Sequence, residues 1–351
     1  MVDLHDIQGV EQLRRELRLD PIHLKRLRRA FYKQSRDKQD ALGTLPDDVR
    51  GRLSEELRFH HLDLASRHDS QIDGASKLVF GTRDELRIET VILRVLTGRT
   101  ALCVSSQVGC AADCSFCATG KLGLRRGLSA GEILDQLVQA NALLREEGRR
   151  VRNITFMGMG EPFHNEVALH ETLAALSHVE CFDHSLRHVS VSTVGIPDAM
   201  VRCADSFPRV RLALSLHSAR QETREQIIPL ARRFPLSALR EAVVAVTGIQ
   251  GQSVMVEYLL LAGTNDGAED LAALIAWAKG LDVHINLIPY NPIAGADESG
   301  LRRTPRPQRE AFANALKAEG FPVTLRYSLG ADVTAACGQL VREENRRVRR
   351  S

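Results

Sequence analysis

The sequence lacks the segments that would direct a chain into a membrane or out of the cell. None of its apolar runs approaches the roughly eighteen residues that a membrane-spanning helix needs. Its first residues, MVDLHDIQGVEQLRRELRLD, contain no apolar core of the kind that secretory signals carry. We therefore expect a cytoplasmic protein that does not bind a membrane.

Cysteine is scarce and unevenly distributed. There are seven cysteines among 351 residues, and an odd number argues against a framework of paired disulfides. Thiols in the cytoplasm are normally reduced. The cysteines therefore indicate metal or redox chemistry.

The excess of positive charge is small, but the basic residues are clustered. The net charge is only +3, and Lys and Arg concentrate in HLKRLRRAFYKQSR, GKLGLRRG, LRRTPRPQR and the tail RRVRR. Such patches are typical of a nucleic-acid-binding surface. The alternative is that they are solvated helix faces and a frayed tail.

The order of predicted elements indicates an α/β fold. From residue 100 onward, six strand candidates alternate with helical segments: TALCVSS, NITFMG, HVSVST, VRLALSL, VMVEYLLL and VHINLIP. This alternation is typical of parallel β/α units. Ser129 and Glu132 have the spacing of a capping box at the start of one intervening helix. A seventh strand candidate, PVTLRYS, follows near the end of the chain.

Four of the cysteines lie within CVSSQVGCAADCSFCATG. Cys110, Cys114 and Cys117 have the spacing C-x3-C-x2-C, and Cys103 precedes them. A closed zinc site needs four ligands, and the downstream sequence contains no matching C-x2-C or H-x3-H pair. A 4Fe–4S cluster usually has four thiolates as well, so three thiolates would leave one iron open for a substrate or cofactor. A zinc site and a set of reduced thiols remain the alternatives.

The three-cysteine motif, with Phe116 directly before its last cysteine, resembles the signature of the radical S-adenosylmethionine (radical SAM) superfamily. The resemblance implies a partial (β/α)6 barrel, which agrees with the six predicted strands. It also implies one 4Fe–4S cluster held by Cys110, Cys114 and Cys117, with S-adenosylmethionine bound to the open iron. Reduction of the cluster would cleave S-adenosylmethionine to methionine and a 5′-deoxyadenosyl radical.

Further motifs resemble, in the same order, the RlmN/Cfr family of RNA adenine C-methyltransferases. They are FMGMGEP, VSVSTVGI, LALSLHS, VEYLLLAGTND, NLIPYNP and RYSLGADVTAACGQL. The resemblance implies that seven residues contact S-adenosylmethionine: Gly160, Glu161, Ser192, Ser215, Leu216, His217 and Asn291. A carboxylate such as that of Glu161 suits the cationic amino group of this cofactor. Without the resemblance, a Ser or Asn at a strand end is more often a helix cap.

The resemblance also implies roles for three residues in methyl transfer. Cys337 would be the methyl carrier: one S-adenosylmethionine methylates its thiolate, and the radical from a second takes a hydrogen from the S-methyl group. The methylene radical would then add to an adenine carbon and link the protein to RNA. Glu89 would accept a proton, and Cys103 would form a transient disulfide with Cys337 that releases the methylated base. Otherwise, a lone cysteine is usually an inert apolar side chain.

With this resemblance, the chain divides into four predicted parts. They are a helical RNA-positioning domain (1–65), a small strand-rich connector (66–99), the radical SAM barrel (100–300), and a C-terminal extension with the methyl-carrier cysteine and a basic tail (301–351).

We expect a radical SAM enzyme that methylates C2 of an adenine in 23S rRNA near the peptidyl-transferase centre, with tRNA as a further candidate substrate. It would be a monomer reduced by an electron donor such as flavodoxin or ferredoxin. The alternative within the family is Cfr-type methylation at C8 of the same adenosine. Outside the family, the alternatives are a zinc-stabilised RNA-binding protein without catalysis and another radical reaction on a small substrate.

Overall fold

The computed structural model describes residues 1–95, 97–293 and 300–340, and the predicted basic tail RRVRR lies outside the described residues. The strands are β1 (Val2–Asp3), β2 (Leu57–Arg58), β3 (Asp63–Asp69), β4 (Ala75–Gly81), β5 (Arg87–Arg94), β6 (Thr100–Cys103), β7 (Gln107–Val108), β8 (Arg126–Gly127), β9 (Asn153–Phe156), β10 (Val189–Thr193), β11 (Arg211–Ser215), β12 (Val254–Leu260), β13 (Val283–Pro289) and β14 (Val323–Leu325). The α-helices are α1 (Ile7–Glu16), α2 (Pro21–Arg28), α3 (Lys38–Leu42), α4 (Asp47–Glu56), α5 (Ala130–Glu146), α6 (Glu166–Ser177), α7 (Pro197–Ser206), α8 (Gln221–Ile227), α9 (Leu236–Gln250), α10 (Ala268–Ala278) and α11 (Arg306–Ala318). Within these ranges, no helix is both long and apolar enough to span a membrane.

The N-terminal region contains the short helices α1 to α4. Asp6, Asp20 and Asp37 precede the first three helices, and each carboxylate accepts a hydrogen bond from a backbone N–H at the start of its helix. Such caps satisfy N–H groups that have no partner within the helix. Pro46 directly precedes α4, so a new helix begins there after the break that follows α3.

One sheet of ten strands forms the centre of the molecule. Its order is β14-β13-β12-β11-β10-β9-β6-β5-β4-β3, and its two edge strands, β14 and β3, are not paired with each other in the described part of the chain. The neighbours from β6 to β14 in this order are parallel, whereas β3, β4, β5 and β6 pair antiparallel. The parallel strands match the seven strand candidates of the sequence. The open, mostly parallel sheet confirms the predicted α/β fold with a partial barrel.

The strands expected in a connector over residues 66–99 belong to this same sheet. β5 pairs with β6 so that Val91 lies opposite Cys103. Side chains two residues apart on a strand share a face, and directly opposed residues share it too. Glu89, Val91 and Cys103 therefore project to one face of the sheet.

Strand β10 shows how the sheet separates the helix layer from the interior of the barrel. Val189 and Val191 are completely buried, whereas the alternating residues Ser190 and Ser192 line cavities inside the barrel. The period of two along a strand places these two sets on opposite faces. The interior of the barrel is therefore lined with polar side chains where the strands approach the site.

Helix α5 begins as its sequence predicted. The Ser129 hydroxyl accepts a hydrogen bond from the backbone N–H of Glu132 at 3.2 Å, and the Glu132 carboxylate accepts one from the backbone N–H of Ser129 at 2.9 Å. This reciprocal pair confirms the capping box. It fixes the start of α5, whose Gln136 side chain donates to the backbone carbonyl of Ser105 at 2.9 Å.

The C-terminal segment 329–340, here called the Cys337 loop, follows β14 and contacts two separate parts of the molecule. The backbone N–H of Gly330 donates to Asp73 at 2.7 Å, before β4 begins. The carbonyl of Gly338 accepts from the backbone N–H of Ala118 at 2.8 Å, just after the three-cysteine motif. The Cys337 loop is thus attached to the antiparallel strands at one end and to the cysteine segment at the other.

Candidate active site

A cavity lies at the carboxyl ends of the parallel strands, which is where parallel β/α folds bind ligands. It is lined by most of the residues that the sequence predicted for the site: Cys110, Cys114, Cys117, Gly160, Glu161, Ser192, Ser215, His217, Asn291 and Cys337. The structure therefore brings together residues separated by more than two hundred positions in the chain. We call this space the cofactor cavity.

The three-cysteine segment leaves β7 through a tight turn at Gly109. Its φ is +80°, and a Cβ atom there would lie 1.9 Å from the carbonyl oxygen of Gly123, so only glycine fits. Cys110 and Cys114 are buried and Cys117 is half-buried. All three are free thiols, so their sulfur atoms are available as ligands.

The spacing of these sulfur atoms distinguishes between the two kinds of metal site. Sulfur ligands of one tetrahedral zinc ion lie within about 4 Å of one another, given a Zn–S bond of about 2.3 Å. Among the described residues, the metal-capable group whose ligand atoms all lie within 4.8 Å is Asp3, His5 and His61, in the N-terminal region. The three sulfurs therefore do not form such a compact set. Such a spacing is compatible with a larger cluster in which each sulfur binds a different metal atom.

Glu161 places a buried carboxylate in the cofactor cavity. Its oxygens accept hydrogen bonds from the backbone N–H of Phe163 at 3.0 Å and of Val194 at 2.8 Å. Burial raises the pKa of this carboxyl to about 7. Gly160 beside it has φ of +108°, and a Cβ atom there would lie 2.7 Å from the Gln107 side chain. A cationic ligand group would match this carboxylate in charge.

Ser192 and Ser215 end neighbouring strands, and their hydroxyl oxygens are 3.2 Å apart. His217 follows with φ of +55°, and its Nδ1 accepts a hydrogen bond from the backbone N–H of Leu259 at 3.0 Å. Burial lowers the pKa of His217 to about 3, so the ring is neutral. Its ring contacts Phe116 edge to face at a centroid distance of 4.8 Å. His217 thereby supports the aromatic residue that precedes Cys117.

Leu216 and Asn291 have different positions relative to the cavity. Leu216 is completely buried, and its side chain is not among those that line the cofactor cavity. Its backbone N–H donates to the carbonyl of Glu257 at 3.1 Å, and its carbonyl accepts from Arg224 at 3.1 Å. Asn291 lines the cavity and donates to the backbone carbonyl of Cys337 at 3.3 Å.

Cys103 and Cys337 line a second cavity, here called the thiol cavity. Both are free thiols in this structure, Cys103 buried and Cys337 exposed. Burial, and then the negative charge of the nearby Cys337, raise the pKa of the Cys103 thiol to about 12. Cys337 also lines the cofactor cavity, so this cysteine lies between the two spaces.

Glu89 lies deeper in the sheet than the two thiols. Its side chain is 1% exposed, and its Oε1 is 3.4 Å from the Nζ of Lys77. Glu89 is not among the residues that line the cofactor cavity or the thiol cavity. Its side chain projects from the same face of the sheet as that of Cys103. Val91, two residues after Glu89 on β5, is the residue directly opposite Cys103 on β6.

Three charged residues near the site were not identified from the sequence. Arg326 lines both cavities, and its Nη1 is 3.7 Å from the Oε2 of Glu257. Arg224 is completely buried and donates to the carbonyl of Leu216 at 3.1 Å. Glu257 is the one charged residue in the otherwise apolar strand β12, and this contrast is the sequence signal that could have identified it. Arg224 lies in the short, polar helix α8 and Arg326 directly follows β14, so neither arginine contrasts with its neighbours in the sequence.

The chain is similar to radical SAM proteins and to RNA methyltransferases. The Radical SAM superfamily model matches residues 104–278. The chain is 50% identical over 345 residues to a probable RNA methyltransferase of Rhodopirellula baltica, which covers 98% of this chain and 89% of the relative. It is 41% identical over 310 residues to a probable dual-specificity RNA methyltransferase RlmN of Thermus thermophilus, covering 88% and 86% of the two chains. A crystal structure of a radical SAM methyltransferase from Sphaerobacter thermophilus superposes with a TM-score of 0.92 at 36% identity, covering 97% of this chain and 99% of that one.

Proposed function

Because this chain belongs to the radical SAM superfamily and, within it, to the RNA methyltransferases named RlmN, we propose that it methylates C2 of an adenine in 23S rRNA near the peptidyl-transferase centre. The family makes it a radical SAM RNA methyltransferase. The observation that supports methylation through a carrier thiol is that Cys103 and Cys337 line one cavity, next to the cavity of the three cysteines. A radical enzyme for a small substrate has no need of this second pair of thiols.

The residues of the cofactor cavity fit the two groups that the family implies. Cys110, Cys114 and Cys117 would hold a 4Fe–4S cluster, and the Glu161 carboxylate would receive the amino group of S-adenosylmethionine. When bound and reduced, this pair supplies a 5′-deoxyadenosyl radical. Gly160, Ser192, Ser215, His217 and Asn291 line the same cavity and complete the proposed cofactor contacts. Leu216, the remaining contact that the family resemblance implies, does not line this cavity.

We assign the methyl-carrier role to Cys337. A ring carbon of adenine that bears hydrogen is a poor nucleophile and cannot displace the methyl group of a sulfonium directly. A carrier thiolate can do so, and the exposed Cys337 faces both cavities. Two molecules of S-adenosylmethionine are then used per turnover, one to methylate Cys337 and one to activate the S-methyl group.

Release of the product would depend on Glu89 and Cys103. Glu89 would take the proton from the methylated ring carbon. Once the adduct radical has lost one electron, the Cys103 thiolate would attack the sulfur of Cys337 and form a transient disulfide. The bond between the Cys337 sulfur and the methylene carbon breaks, its electron pair stays with the methylene carbon and the base, and a proton completes the methyl group. The placement of Glu89 on the same face of the sheet as Cys103 supports this assignment.

The remaining assignments concern partners. We propose that residues 1–65 help to position RNA, that tRNA is a second substrate, and that the enzyme is a cytoplasmic monomer reduced by flavodoxin or ferredoxin. The basic clusters of the N-terminal region support the first of these.

Nucleoside mass spectrometry tests the proposal directly. The reconstituted enzyme is incubated with 23S rRNA fragments or tRNA under reducing, anaerobic conditions. We expect 2-methyladenosine in the rRNA product and none with Cys337→Ala. Formation of 8-methyladenosine would instead identify a Cfr-type enzyme, and full turnover by Cys337→Ala would contradict the carrier role.

A further inference from the structure

A third cavity opens at the end of the barrel opposite the cofactor cavity. It has a volume of about 600 Å³, within the range of sites that hold a molecule of nucleotide size. Asn153, Val189 and Arg211, the first residues of β9, β10 and β11, lie along it. We call it the lower cavity.

Among the described residues, arginine and histidine side chains line the lower cavity and no carboxylate does. Its charged and titratable lining residues are Arg187, His188, Arg211, His284 and Arg326. Burial, and then the positive charges of Arg152, Arg211 and Arg99, lower the pKa of His188. The mouth of the lower cavity therefore has a positive electrostatic potential, which attracts anions.

Polar groups deeper in the lower cavity are suited to a ligand with donors and acceptors. The Ser190 hydroxyl oxygen is buried and has no hydrogen-bond partner among the described residues. In a more exposed part of the lower cavity, His284 and Thr324 bond to each other at 2.7 Å. A nucleotide has both an anionic phosphate for the mouth and a polar base for the interior.

The lower cavity reaches the reactive thiols. Met157 and Arg326 line the lower cavity, the cofactor cavity and the thiol cavity alike. The Nη1 of Arg326 is 3.9 Å from the Met157 sulfur, so these two side chains lie where the three spaces meet. The lower cavity therefore adjoins, at these two side chains, the two spaces that Cys337 lines.

The N-terminal region lies beside the same mouth. Arg150 donates to the backbone carbonyls of Tyr32 at 2.9 Å and Lys33 at 3.1 Å, which belong to the basic cluster HLKRLRRAFYKQSR. Arg152 follows two residues later, and its positive charge helps to lower the pKa of His188 at the mouth. The basic surface thus continues from the N-terminal region to the lower cavity.

We propose that the lower cavity is the RNA site: Arg187 and Arg211 bind backbone phosphates at its mouth, and the extruded target nucleotide enters the barrel from this end. The inference rests on the proposed function and adds the end of the barrel from which RNA approaches. An acidic protein could also bind a basic surface, but a flat contact would leave the interior volume and its link to the thiols unused. Extrusion of a base into a pocket is the usual way for enzymes to reach a nucleobase.

The test compares two pairs of charge-neutralising substitutions. Arg187→Gln with Arg211→Gln changes the mouth, and Arg232→Gln with Arg233→Gln changes an equal number of exposed arginines in the 3-10 turn after α8. RNA affinity is measured by fluorescence anisotropy with a labelled 23S rRNA hairpin at several salt concentrations. S-methylation of Cys337 is measured by intact-protein mass spectrometry without RNA.

We expect the mouth pair to weaken RNA binding about tenfold or more and to reduce the salt dependence by about 0.7 per lost phosphate contact. Cys337 should still be methylated, because that step needs no RNA, and the control pair should bind normally. Normal RNA binding by the mouth pair overturns the inference, as does a loss confined to the control pair. Normal RNA binding with lost reduction by flavodoxin would identify a protein-docking surface instead. An unmethylated Cys337 in the unaltered enzyme would contradict the proposed function itself.

Discussion

Glu161 makes cofactor binding depend on pH. Its carboxyl is buried between two backbone N–H donors and has a pKa raised to about 7 by burial. Below pH 7 the carboxyl is protonated and loses the charge that attracts an amino group, which itself stays cationic up to about pH 8. We therefore expect the Kd for S-adenosylmethionine to rise about tenfold per pH unit below pH 7. Calorimetric titration of the cluster-loaded protein between pH 5 and 8 measures this.

The matching control for that titration is Glu161→Gln. It keeps the size of the side chain and removes its ionisation, so binding should be weak at every pH. A pH dependence that survives in Glu161→Gln would mean that another group, not Glu161, receives the cofactor's charge.

Cys103 is predicted to act only after RNA is attached. Cys103→Ala should load its cluster and methylate Cys337 but accumulate the covalent protein–RNA adduct, because no second thiol remains to break it. Denaturing gels with labelled RNA report the adduct. Cys203→Ala is the control, since Cys203 is a buried free thiol that lines none of the three cavities described.

The pH dependence of adduct breakdown gives a second measurement on Cys103. A thiol with pKa near 12 is almost wholly protonated at neutral pH. Because the thiolate is the nucleophile, breakdown should accelerate about tenfold per pH unit between pH 7 and 9. A rate that does not change with pH would show that RNA binding alters the surroundings of Cys103 or that another group limits the step.

At the scale of elements, local patterns predicted more than long-range placement did. The seven parallel strands and the α5 capping box were readable because each depends on residues close together in the sequence. Residues 66–99 are predicted as a small strand-rich connector, and the sequence does not show that the strands β4 and β5 within it pair into the main sheet. Antiparallel pairing with β6 depends on register between strands, which no local period reveals.

The same limit applies to the candidate site. The cysteines and Glu161 were found because they lie in long motifs that resemble a known family. Arg326 and the lower cavity were not, because a cavity arises from first residues of strands that are far apart in the chain. Charges of that kind acquire a common role only when the strands are assembled side by side.

The Cys337 loop is attached to the sheet through Lys77. This buried lysine donates to the Thr334 hydroxyl at 2.8 Å and lies 3.4 Å from the Glu89 carboxylate. Lys77→Met should free the loop and destabilise the protein by about 3 kcal/mol, since it breaks a buried charge pair. Hydrogen exchange with mass spectrometry should show faster exchange in residues 330–338.

Lys33→Met is the control for that change, because Lys33 forms an ion pair with the exposed Asp183 in another part of the molecule. It should leave exchange in the Cys337 loop unaltered and cost at most about 1 kcal/mol. Unchanged exchange in Lys77→Met would mean that the bonds from Gly330 and Gly338 hold the loop without it.

The activity of the whole molecule depends on which metal the three thiols bind. The three thiols of the radical SAM motif should bind an iron–sulfur cluster of about four irons per chain after anaerobic purification. Cys114→Ala should lose this iron and the broad absorbance near 400 nm, whereas Cys181→Ala, at a buried thiol outside the three cavities described, should keep both. A colourless protein with one zinc per chain would contradict the radical mechanism. Cys110, Cys114 and Cys117 lie outside the strands of the ten-stranded sheet. We therefore expect Cys114→Ala to remain folded by circular dichroism, so a loss of iron would report a change at the site and not unfolding.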